Sequence, residues 1–305
     1  SANFFCGGGL STWGSRTAGI HSAVAFDAFS DVLNAHFDNH GDASHGGDPP
    51  FVLTTDTSYG MIEKYLRKQP PLACCHFVSK IGSNVSYEWY DSTTKKKCRL
   101  GKLTKNMITH ILTIKRKLIT DALPANTVVH FVGYATPPCY DVSTANPERT
   151  ENFGFATMSS CFELLHHCFH TNQLATYCLE MVSHARHQQL VAWARKSSRK
   201  YSLVWDYILA SDFNCPSNRE RCFFKPRKAA WMKPARMAPN IVDVSVGSAL
   251  GLKSKKFGLY GTTWGNLNGK TTAMSDRGFT ITGEFCFRLC RRCCCCCCCR
   301  HCCCC

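Results

Sequence analysis

The stretch from Lys102 to Tyr134 constrains the fold more than any other part of the chain. Leu103, Met107, Ile108, Ile111, Leu112, Lys115, Leu118 and Ile119 recur with a 3.6-residue period and mark one face of a helix. Lys115-Arg116-Lys117 sets cations towards the carboxyl end of that helix, where the peptide dipoles favour them. Leu123-Pro124-Ala125-Asn126 turns the chain, and Val128 to Tyr134 reads as an apolar strand opening into a loop from Ala135 to Asp141. A helix followed directly by a strand calls for a layered fold, because each has an apolar face to bury against the other kind of element.

The alternation extends along the chain. Val24, Phe26, Phe29, Val32, Leu33 and Phe37 place a helix from Ala23 to Phe37. Phe51 to Thr54 reads as a short strand, and Met61, Ile62, Tyr65 and Leu66 as the stripe of a short helix that Pro70-Pro71 stops. A strand from Leu72 to Ile81 ends at Gly82-Ser83-Asn84. Further helices are expected from about Ser159 to His170 and Val182 to Ser197, with a strand from Tyr201 to Leu209. The fold class is therefore α/β: a three-layer α/β/α sandwich around a mainly parallel sheet. After Asp212 the pattern collapses among Pro216, Pro226, Pro234 and Pro239, and only Ile241 to Val246 and Phe279 to Ile281 look strand-like. The expected division is a ragged N-terminus over residues 1–14, one domain over 15–215, and a basic tail over 216–305.

Charge sharpens that division. The net charge of the 305 residues is +15, of which residues 211–305 carry +11 and residues 91–210 carry +7. Polyanions would be drawn to the second half, although a solvated basic tail needs no partner. With 45% hydrophobic residues the chain is not wholly disordered, and no apolar run reaches the ~18 residues of a membrane helix. The chain begins at Ser1 without a basic-then-apolar leader, as if a leader had been removed or the N-terminus were missing. Thirteen of the 23 cysteines lie in Cys286 to Cys305. Adjacent thiols such as Cys293 to Cys299 cannot all point at one metal, so the run reads as low complexity. His166, His167 and His170, with His184 and His187, have helical spacings that could hold a metal, but without matching carboxylates or thiolates they read as helix-lining residues. Gly41-Asp42-Ala43-Ser44-His45 reads as a polar turn, since three neighbouring side chains diverge and cannot form a relay.

Four blocks stand in the loops beyond apolar runs. They are Thr17-Ala18-Gly19-Ile20-His21, then Ser58-Tyr59 with Ile62-Glu63-Lys64-Tyr65-Leu66, then Ile81-Gly82-Ser83-Asn84-Val85, then Leu123-Pro124 through Val132-Gly133-Tyr134 to Asp141. In this order, over about residues 15 to 210, they make a chain that resembles the SGNH (GDSL-like) hydrolases, and within them the acyloxyacyl hydrolases. The resemblance implies an ester hydrolase acting on acyl lipid or glycolipid, with no cofactor and no metal. It makes Thr17 the nucleophile and Gly82 and Asn84 the oxyanion donors. It also allows Cys168 and Cys178 to pair.

The blocks depart from that family where chemistry would be done. Ser15-Arg16-Thr17 stands for a Gly-Asp-Ser loop, Asp56 for a glycine, Ser83 for an asparagine, and no Asp-x-x-His follows residue 200. The implied esterase is thus weak or inactive. Two alternatives remain at this stage: a non-catalytic lipid- or glycolipid-binding relative, and a polyanion-binding protein working through the basic tail, although no specific nucleic-acid motif is present.

Overall fold

A computed structural model describes residues 1–40, 47–82, 88–91, 96–138, 153–182, 196, 203–209, 220–226, 259–260 and 271–272. At its centre lies β1 (Ala2–Phe4), flanked in parallel by β2 (Val24–Asp27) and β7 (Val132–Ala135). β4 (Cys75–Val78) and the short β3 (Phe51–Val52) continue the parallel set beyond β2, and β8 (Thr176–Val182) continues it beyond β7. β10 (Glu220–Pro226) is antiparallel both to β8 and to the edge strand β9 (Leu203–Leu209). Two two-stranded ribbons stand apart: β5 (Glu88–Asp91) with β6 (Lys96–Arg99), and β11 (Leu259–Tyr260) with β12 (Thr271–Thr272).

Alternation along the central strands sorts side chains onto two faces. Phe4, Phe26 and Phe77 line one face, with ring centroids 5.1 and 5.4 Å apart across neighbouring strands. There they join the apolar stripes of α3 (Tyr59–Lys68), α4 (Lys105–Ala122) and α5 (Phe153–His170). Ser58 and Thr104 cap α3 and α4 by accepting from the amides of Met61 and Met107. The other face carries Asn3, Ala25 and His76, which are in register. It is covered by α2 (Ser30–Asn39), and α1 (Leu10–Thr17) is joined to α2 through Thr12 and His36.

The α/β class and the predominance of parallel pairing hold, and the helices cover both faces. Three expectations need correction. Residues 1–14 are not ragged, since they supply the central strand and the first helix. The helix expected from Ala23 to Phe37 is a strand followed by a helix, because Val24 and Phe26 alternate across a sheet before the helical period begins. The sheet does not close at residue 215, because β10 supplies its penultimate strand, with Cys222, Phe224 and Pro226 buried in alternation. The helix expected from Val182 to Ser197, the strand-like runs after residue 240 and the poly-Cys run lie outside the described residues, apart from Val182 in β8 and a helical Lys196. No described helix is long and apolar enough to cross a membrane.

Candidate functional site

The sheet order is β3-β4-β2-β1-β7-β8-β10-β9. From β1 the chain builds outward through β2 to the β3-β4 edge, then crosses back to β7 on the far side of β1. In open α/β sheets ligands bind beyond the strands' carboxyl ends where the order reverses in this way. Two loops meet at that crevice, one from Phe5 to Gly9 and one from Thr136 to Pro138. The amide of Thr136 donates to the Phe4 carbonyl at 3.2 Å and its hydroxyl to the Phe5 carbonyl at 2.8 Å.

The first loop is wound by left-handed backbone at Phe5 (φ 53°), Gly7 (φ 53°) and Gly9 (φ 99°). A side chain at Phe5 makes that conformation costly, so its surroundings must hold it. They do so from β2 and α2. Asp27, at the end of β2 and twenty residues after Gly7, accepts from the Gly7 amide at 3.1 Å through Oδ2 and from the Phe29 amide at 3.2 Å through Oδ1. Burial pushes the pKa of its carboxyl up, against the pull of the Gly7, Phe29 and Ala28 amides. At the other end of α2, the Asn39 side-chain amide donates to the Gly8 carbonyl and His40 Nε2 to the Gly9 carbonyl, both at 3.0 Å. The fit at Gly9 is close: a Cβ there would lie 2.0 Å from His40 Nε2.

Behind the loop is a chain of buried polar groups. Thr12 Oγ1 lies 2.8 Å from His36 Nε2, and His36 Nδ1 lies 2.9 Å from His76 Nε2. Burial and mutual repulsion lower the pKa of His36 to about 2, and burial lowers that of His76 to about 3, so both rings are neutral at pH 7. One strand over, Ser79 donates its amide to the Asp27 carbonyl at 2.8 Å. Its hydroxyl is buried and has no hydrogen-bond partner among the described residues.

The far side of the crevice is charged instead. β8 carries Glu180 near its carboxyl end, and Arg221 enters beside it from β10, with Nε 3.1 Å from Oε1. Lys225 and Asp206 pair at 2.6 Å further along β10.

The residues singled out from the sequence fall elsewhere. Thr17 ends α1, exposed, with its hydroxyl donating to the Trp13 carbonyl at 3.0 Å. Ser15 back-bonds in the same way to Ser11. Thus the Ser15-Arg16-Thr17 block is helix, and the loop beyond β1 lies some ten residues earlier. α1 carries Thr17 back towards the strands' amino ends, where His21 meets Ser1 and Leu72. Gly82 lies beyond the carboxyl end of β4, with φ 74° and so close to α5 that a Cβ would be 2.4 Å from that of Ser160. The structure therefore does not bring Thr17 and Gly82 together, and Asn84 lies outside the described residues. Cys168 and Cys178 are free thiols, each with its pKa raised to about 12 by burial. Among the described residues no group of three or more His, Cys, Asp or Glu side chains is arranged to hold a metal. Sequence reasoning missed Asp27 and the Gly7–Gly9 loop, although a glycine-rich turn after an apolar run with an acid twenty residues on is a readable signal. Nothing local marks Glu180 and Arg221, which meet only through strand pairing.

No family model matches the chain, and no curated protein matches it. The solved structures found similar are consistently methyltransferases. One is named as a DNA modification methyltransferase of an E. coli prophage: 16% identity, TM-score 0.44, covering 85% of this chain and 55% of that one. S. pombe Dnmt2 is 15% identical with a TM-score of 0.37, over 73% of this chain and 47% of that one. A Spodoptera frugiperda DNMT2 variant is 11% identical with a TM-score of 0.42, over 77% and 51%. The chain spans about half the length of these proteins. The resemblance to SGNH hydrolases, and with it the expected ester hydrolysis and acyl-lipid or glycolipid binding, is corrected by the structure: the proposed nucleophile block is a helical turn, and the Gly-rich loop occupies the position after the first strand.

Proposed function

We propose that the chain is a methyltransferase that uses S-adenosylmethionine to modify a base in nucleic acid. The observation that carries this reading is Asp27 holding the Gly7 amide at the reversal point of the sheet. A glycine turn opening a helix, with an acid at the end of the next strand, suits a nucleoside whose ribose hydroxyls donate to the carboxylate. The residues fit such a group: nothing lies within 4 Å of a Cβ built on Gly7, leaving room for close approach, and the orphaned Ser79 hydroxyl offers a partner one strand from Asp27. Bound there, S-adenosylmethionine supplies an electrophilic methyl group.

On the other side of the crevice, Glu180 has the chemistry to accept from the exocyclic amino group of a cytosine, with Arg221 fixing its carboxylate. We take Cys139, which follows Pro137-Pro138 in sequence and lies outside the described residues, as the nucleophile of this reading. Its thiolate would add to C6 of the ring and so make C5 nucleophilic towards the methyl group that the cofactor would supply. Release of the C5 proton to water would then expel the thiolate and restore the ring. The net charge of +15 favours a polyanionic substrate.

Calorimetric titration with S-adenosylmethionine and transfer of labelled methyl to DNA test the reading together. The chain should bind the cofactor, and Asp27→Ala should weaken binding by about 10- to 100-fold, the range for losing a hydrogen bond to a charged group. Cys139→Ser should bind normally and transfer no methyl. A wild-type chain that binds no S-adenosylmethionine would overturn the proposal.

A further inference from the structure

Between β4 and α4 the chain leaves the carboxyl edge of the sheet, forms the β5-β6 hairpin and returns to its point of departure. The return is pinned by main-chain bonds: Gly101 donates to Leu53 at 2.7 Å, Lys80 to Gly101 at 2.9 Å and Leu103 to Lys80 at 2.8 Å. This pinning sets Lys80 and Lys102 side by side in a parallel bridge. Arg99 and Lys102 are exposed, Lys80 is half-buried, and none of the three forms an ion pair among the described residues. Residues 80–105 also contain Lys95, Lys96, Lys97 and Lys105 against Glu88 and Asp91 as the only acids. Of these, Lys105 is drawn aside to Glu163 at 3.8 Å.

Backbone hydrogen bonds thus hold two like-charged residues side by side. Partial burial and the Lys102 charge lower the pKa of Lys80. An unpaired cation cluster of this kind is relieved by a polyanion lying across it, and the cluster sits on the edge of the sheet that carries Asp27 and Ser79. We infer that Lys80, Arg99 and Lys102, at the root of the β5-β6 hairpin, form a docking surface for the phosphate backbone of duplex DNA. A duplex is favoured over a single strand because its charges are denser and each neutralised phosphate releases more counterion. The inference rests on the methyltransferase reading for its substrate, and the hairpin then steers the duplex past the crevice.

The test is fluorescence anisotropy of the full chain with a random-sequence DNA duplex across a salt series, for the wild type and for Lys80→Gln/Lys102→Gln. The glutamines keep the side-chain stems, and S-adenosylmethionine affinity and thermal melting report whether the variant is folded. Each phosphate that is no longer neutralised should flatten the plot of log K against log salt by ~0.9. The double variant should therefore lower the slope by about 1 to 2, with cofactor affinity unchanged. Lys102→Glu should weaken binding further. An unchanged slope in a folded variant would overturn the docking surface while leaving the methyltransferase reading intact. Tighter binding of single-stranded DNA or duplex RNA would overturn the choice of duplex DNA. A reduced slope in a chain that transfers no methyl would keep the docking surface and remove the methyltransferase reading.

Discussion

On the β4-β2-β1 side of the sheet the polar groups are buried and, Ser79 apart, are largely bonded to one another, whereas on the β8-β10-β9 side they are charged and reach water. His36 and His76 are fully buried against each other, and Asp27 is 7% exposed. Lys225 and Asp206 pair with side chains 32% and 52% exposed. A neutral buried network fixes geometry, because moving any member leaves another unpaired in a dry interior. Exposed ion pairs contribute little to stability and can exchange partners with an incoming ligand. The first side holds a loop still, and the second presents its charges to solvent.

The largest test of this contrast is acid. His36 and His76 titrate near the ordinary 6.5 when unfolded but only at about 2 and about 3 when folded. Their contribution is therefore complete above pH 6.5 and is lost as pH falls from there towards 3, while the unfolded chain takes up protons that the folded chain refuses. Two such groups give a slope of about 2.7 kcal/mol per pH unit in that window, and Asp27, with its pKa raised by burial, offsets part of it at the lower end. Denaturant titrations at pH 7, 6 and 5 measure the slope. His36→Leu should reduce it, and a flat profile would mean that the histidines are not buried neutral.

A smaller effect is expected from Gly9→Ala. The added methyl meets His40 and the backbone is left-handed, so the cost should be about 1–3 kcal/mol, read as a lower melting temperature. His40→Ala in the same chain removes the collision, and partial recovery of the melting temperature would show that the ring, not φ alone, sets the cost. Smallest of all, Lys225→Ala should change stability by less than about 1 kcal/mol. A drop in stability several times larger would erase the distinction between the two sides.

Legibility in the sequence followed element length. α4 spans 18 residues, enough for its period to show, and even Lys115 stood in the apolar stripe: it is fully buried, with Nζ donating to the Ala73 carbonyl at 2.7 Å. β1 is three residues long and buried on both faces, so it has no period at all, and the glycines after it read as a loose end. β10 alternates clearly at Cys222 and Phe224, but Pro216, Pro226 and the surrounding arginines hid it among tail residues. The pairings that make the site join residues 20, 31 and 40 apart, set by sheet register, which a local window does not contain.

The place of β10 also bears on how the chain assembles as it leaves the ribosome. β9 is synthesised before β10 but has no pairing with β8, since β10 lies between them. Until residue 226 has emerged, β8 presents an open edge and β9 has no strand to join. A nascent chain paused at that stage exposes two unpaired strands to neighbouring chains, the condition in which edge-to-edge aggregation begins. Completion of one late, reversed strand closes both edges in a single step.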